Sequence, residues 1–199
     1  MHDRSGRGGA ALAVLLLASM VIACSALKRM SGNGGIDEAN KLVQSANEDL
    51  KEITKIAQAN KDKESRINKQ LNASDFNGAK QTMDEAIKAI DDGLARGRSA
   101  ADKFERASKL DVDQVYKEYL TLKSQSVRKT AEAFEELKKA ISILRDNVGG
   151  TDKAKLNKAR QDATAAGENF DRLIAEAVKL DREADDIARK NPDKIKPAA

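Results

Sequence analysis

The sequence predicts an all-α protein, an elongated antiparallel up-down-up-down bundle of four helices with coiled-coil-like seams. Three observations predict it. Aromatic residues make up only 3% of the 199-residue chain while 34% are charged, a mix that fits long helices and disfavours sheet. Apolar residues from Ile36 onward recur at spacings of three and four, the period of helices packed along their length. Short clusters of Asn, Asp, Ser and Gly interrupt that period three times, which leaves segments of about 35 residues, each about 50 Å long as a helix.

The first helix is expected over residues 36–71, with a seam of Ile36, Ala39, Val43, Ala46, Leu50, Ile53, Ala57, Ile67 and Leu71 that lapses at Asn60 and Glu64. Asn72-Ala73-Ser74-Asp75 supplies the turn. Asn72 suits a left-handed backbone there, and Ser74 or Asp75 can cap the next helix through a side-chain oxygen. That second helix, 75–109, carries Phe76, Met83, Ile87, Ile90, Leu94, Gly97, Ala101 and Phe104 on its seam. Asp111 or Asp113 can cap a third, 113–147, whose seam is Tyr116, Leu120, Lys123, Val127, Thr130, Phe134, Leu137, Ile141 and Leu144.

Gly149-Gly150 stops the third helix, because glycine takes positive φ at little cost, and Thr151 or Asp152 can cap a fourth over 152–190. Its seam runs from Leu156 through Ala163, Phe170, Ala177 and Ala184 to Ile187, and Pro192 ends it. Residues 191–199 then read as a disordered basic tail. Asp84 with Lys88, Asp102 with Arg106 and Glu135 with Lys139 stand in the favourable i, i+4 order and mark solvated faces.

Before the helices comes a start bearing Arg4 and Arg7, then an apolar run from Ala10 to Ile22 without a charge. This is the layout of a secretory signal. As a helix the run is about 20 Å long, short of a bilayer core of about 30 Å. It ends in Val21-Ile22-Ala23-Cys24, which resembles the lipobox of bacterial lipoproteins. That resemblance implies cleavage between Ala23 and Cys24, residues 1–23 being the signal peptide, and covalent diacylglycerol and N-acyl lipid on Cys24. It further implies an exported, lipid-anchored protein of the cell envelope. In a double-membraned organism, Ser25 after the cysteine implies the periplasmic face of the outer membrane, and otherwise the outer face of the cell membrane is expected. Residues 24–35 read as the lipidated cysteine and a flexible tether, about 18 Å in typical span for eleven residues.

Loss of residues 1–23 removes Arg4, Arg7 and Asp3 and leaves 34 basic and 31 acidic residues. Charges of both signs are interleaved without the basic stripe that nucleic-acid binding needs, so no nucleic acid is expected as a partner. His2, the only histidine, lies in the signal, and Cys24 is the only cysteine. The mature chain therefore lacks imidazole and free thiol. Catalytic triads, histidine-ligated haem, His/Cys zinc sites and Glu-x-x-His di-iron sites all fall away. No catalytic residue, metal site or cofactor beyond the anchor lipid is expected, and the protein reads as a non-enzyme. The adjacent pairs Asp91-Asp92 and Asp185-Asp186 point about 100° apart on a helix and read as solvated surface.

One layer stands out on the seams. Folding the hairpins about their turns places Gly97 and Ala101 near Ala46, Lys123 and Ala177, small residues with one lysine. It is either a narrow waist, with the lysine reaching out to water, or a small cavity where Lys123 meets an anionic or amphipathic ligand. Two functions follow. The first is a scaffold, spacer or docking surface for another envelope or extracellular protein. The second is a carrier or sensor that holds a small apolar or anionic ligand between the helices.

Overall fold

The computed structural model describes residues 34–195. The signal segment, Ala23, Cys24, nearly all of the tether and residues 196–199 lie outside the described residues. The protein is all-helical there, with helices packed against one another: α1 (Gly34–Asn60), α2 (Lys63–Asn72), α3 (Phe76–Ser108), α4 (Gln114–Asn147) and α5 (Lys153–Lys190).

Side-chain caps set three of the starts. The Asp75 carboxylate accepts from the Gly78 N–H, Asp113 from Val115, and Asp152 from Ala154 and Lys155, satisfying donors that a helix start leaves without intrahelical partners. In the turn before α3 the left-handed residue is Ser74 rather than Asn72, at φ 58°. The turn after α4 uses Gly149 at φ 79°, where a Cβ would press on the Phe76 ring at 3.1 Å. Glycine therefore serves there both for its backbone and for its missing side chain.

The structure departs from the expected elements in two places. Residues 36–71 do not form one helix: a turn at Lys61-Asp62 divides α1 from α2, where the apolar seam lapses. With no seam residue to bury across Asn60 to Glu64, packing does not hold the chain straight. Residues 191–195, expected as the start of a disordered tail, fold back instead. The Asn191 carbonyl accepts from Lys194 and Ile195 N–H, Lys194 pairs with Asp113, and Ile195 is buried at 2% exposure against the core.

Helix α1 packs on α3, α2 on α3, α3 on α4, and α4 on α5. The expected i, i+4 partners of Asp84, Asp102 and Glu135 are not the ones used. Asp84 pairs with Arg145, Asp102 with Arg128, and Glu135 with Arg98, so each carboxylate ties α3 to α4 across the helix interface.

Three regions of core result, the smallest being Ala140, Ala163 and Ala166 between α4 and α5. One is dense, with Ala39, Val43, Ala46, Leu50, Ala101, Phe104, Tyr116, Leu120 and Ala184 packed together. Another gathers Met83, Ile90, Leu94, Phe134, Ile141, Phe170 and Leu173, and the first, second, third, fourth and fifth of these face open space.

Candidate functional site

That space is a cavity of about 770 Å3 with residues of all five helices in its wall. Helix α1 contributes Leu50, Ile53, Ile56 and Ala57, α2 Ile67 and Leu71, and α3 Phe76, Met83, Ile90 and Leu94. Helix α4 adds Val127, Phe134, Leu137, Ile141 and Leu144, and α5 adds Leu156 and Ala159. The volume lies within the range of about 300–1,000 Å3 usual for ligand pockets. It is about five times the roughly 150 Å3 apolar cavity that is known to take up a benzene ring.

Local sequence accounts for the opening. Ala86, Ala89, Gly93 and Gly97 on α3, Ala131 on α4 and Ala159 on α5 all line it, and small side chains leave the space unfilled. The turn at Lys61-Asp62 contributes as well, since α2 packs on α3 and has no buried residue of its own. It is held to α3 by polar contacts, with Lys63 and Arg66 on Glu85 at 2.7 and 2.8 Å and Gln70 accepting from Thr82. Phe76 remains 41% exposed in the cavity wall.

Gly97 and Lys123 are not brought together at this cavity. Gly97 lines it, with the Ile53 methyl 3.8 Å and the Ala131 methyl 3.9 Å from where its Cβ would stand. Those are ordinary contact distances, so Gly97→Ala should raise unfolding free energy by about 0.5–1 kcal/mol, as Gly-to-Ala changes inside helices do. Urea denaturation checks this, and a loss of stability would mean that the added methyl finds no room between α1, α3 and α4.

Lys123 lies elsewhere, where the helices close. Around it the Ser124 hydroxyl donates to the Ala101 carbonyl and the Ser126 hydroxyl to the Ala177 carbonyl, both at 2.9 Å. Bonds from so short a side chain to a neighbouring helix's backbone require close approach. Lys123 is 4% exposed and does not reach out to water. It donates to Asp181 and Asp185 at 2.7 and 2.9 Å and stands 5.6 Å from the Tyr119 ring centre. Burial opposes its charge, but the ionisable Tyr119 hydroxyl and the two aspartates outweigh burial and raise its proton affinity above that of an ordinary lysine. Asp185 is at the surface, as the sequence predicts, with its side chain 43% exposed, and it also holds a buried ammonium. The overlooked signal was spacing, since Asp181 and Asp185 stand four apart on either side of the seam residue Ala184.

A second buried charge joins α1 to α3. Asp49, 5% exposed, accepts from Lys103, Ser99 and Arg96. Burial raises its pKa, but these hydrogen bonds outweigh that and hold its carboxyl below the usual carboxylate range. No buried side-chain N or O among the described residues lacks a hydrogen-bond partner, so both clusters are complete as they stand.

Among the described residues no group of three or more His, Cys, Asp or Glu is placed to hold a metal ion, and no helix is long and apolar enough to cross a membrane. Compared with protein-family models, curated proteins and solved structures, the chain matches none.

Proposed function

We propose that the chain is a bacterial lipoprotein precursor, cut before Cys24 and anchored by lipid on that residue, whose helical domain outside the cytoplasm carries an apolar ligand between its helices. One observation carries the ligand reading, the apolar cavity of about 770 Å3. A scaffold or spacer needs only its outer faces, and an unfilled interior costs it packing energy without return. A carrier recovers that energy when the ligand enters, because about 25 cal/mol is gained for each Å2 of apolar surface removed from water. The activity proposed is binding, without turnover.

We also take the arms of the bundle to alternate in direction, with α1 and α2 as the first arm. Support comes from the contacts: Ser45 meets Lys103 while Asp49 meets Arg96, Ala101 meets Ser124 while Asp84 meets Arg145, and Lys123 meets Asp181 while Glu136 meets Asn169. In each pair, later residues of one arm meet earlier residues of the next.

Ala131→Phe tests the ligand reading. A ring placed there has cavity space to enter, so the variant should remain within about 1 kcal/mol of the parent, whereas overpacking a filled core costs about 1–3 kcal/mol. Affinity for the neutral apolar dye Nile red should fall at least tenfold, as read by fluorescence titration. Failure of the parent protein to bind the dye would defeat the proposal.

A further inference from the structure

We infer that the cavity's ligand is an amphiphile with an anionic head, its acyl chain among the apolar side chains and its carboxylate or phosphate at Lys61 and Arg160. The inference rests on the carrier reading and adds the charge of the ligand. Four charged residues line the cavity, and three are cations: Lys61, Lys63 and Arg160 against Glu64. The whole chain, by contrast, is nearly balanced, with 36 basic and 32 acidic residues. Lys63 is already engaged, sharing Glu85 with Arg66. Lys61 and Arg160 are exposed and have no carboxylate partner among the described residues.

Their position along the helices places both at one level. Lys61 is 15 residues beyond Ala46, and Arg160 is 17 residues before Ala177. In alternating arms those offsets run the same way from the closed layer, about 22 and 25 Å at roughly 1.5 Å per residue. Two cations thus flank the cavity at one level, with aliphatic and aromatic wall residues on both sides along the bundle, Leu50, Ile53 and Leu94 toward the closed layer and Phe76, Leu144 and Leu156 beyond. An acyl chain leaves water on entering, and its head group stays at the exposed cations, where ammonium and guanidinium groups make charge-assisted hydrogen bonds. Glu64 repels an anionic head and leaves a neutral one unaffected, so both cations are needed to outweigh it, and the two are tested together.

The experiment is displacement of Nile red from the full-length Cys24→Ala protein by palmitate, palmitoyl lysophosphatidate and hexadecanol, repeated with Lys61→Ala/Arg160→Ala. Both substitutions fall on exposed side chains and leave the core intact. An anionic amphiphile should displace the dye at a concentration about tenfold lower than the alcohol, and the double substitution should shrink that advantage to about twofold. Palmitate acting ahead of lysophosphatidate identifies a free fatty acid, and the reverse order a lysophospholipid; either supports the shared chemistry. Equal displacement by acid and alcohol, unchanged by the substitutions, would overturn the charge inference and leave the carrier reading standing. If the parent protein does not bind the dye, the carrier reading fails and this inference fails with it.

Discussion

Asp181→Asn/Asp185→Asn is expected to lower unfolding free energy by about 3 kcal/mol, the scale on which stranding a buried charge destabilises a protein. Lys123 is 4% exposed, and its ammonium has these two carboxylates at 2.7 and 2.9 Å. Amides keep the carbonyl acceptors but remove the charge that offsets desolvation. Adding Lys123→Met should return most of the loss, since an unbranched apolar side chain of similar length occupies the same space without a charge. Urea unfolding of parent, double and triple variants measures all three. A double variant within about 1 kcal/mol of the parent would mean that the ammonium escapes to water.

The same cluster fixes a pH dependence. Lys123 has its folded pKa raised above the ordinary lysine value, so its contribution is fully present below about 10.4. That contribution is lost as pH rises through the folded value. Above that ordinary value the parent should therefore lose stability more steeply than the triple variant, in which nothing at position 123 titrates.

Helix starts are the most legible part of the sequence, because one side-chain oxygen decides each of them: Asp75, Asp113 and Asp152 cap α3, α4 and α5. The turn at Lys61-Asp62 shows only as a lapse in the apolar seam. Neither Gly nor Pro stands there, so no local breaker separates a polar stretch of continuous helix from a turn. Ile195 was hidden for a related reason, as a single apolar residue beyond Pro192 has no period to reveal its burial. The cavity is the hardest feature to read. A seam of Leu50, Ile53, Met83, Ile90 and Phe134 has the same spacing whether facing helices touch or stand apart, and separation depends on tertiary geometry. What the sequence does hold is the run of small residues Ala86, Ala89, Gly93 and Gly97 at steps of three and four, the face that leaves the space.

Cys24→Ala should abolish membrane association completely, the largest effect expected for any single substitution in this chain. In the proposed precursor the thiol is the sole acceptor for the diacylglycerol, and without it neither acylation nor cleavage before residue 24 proceeds. Two or more acyl chains hold a protein stably at a membrane, at about 0.8 kcal/mol per buried methylene, where one chain gives only marginal binding. Intact mass and membrane fractionation of the protein expressed in a bacterium read the outcome: a chain beginning at Cys24 with acyl mass in the parent, and an unacylated chain in the variant. Unmodified parent protein that retains residues 1–23 would refute the anchor.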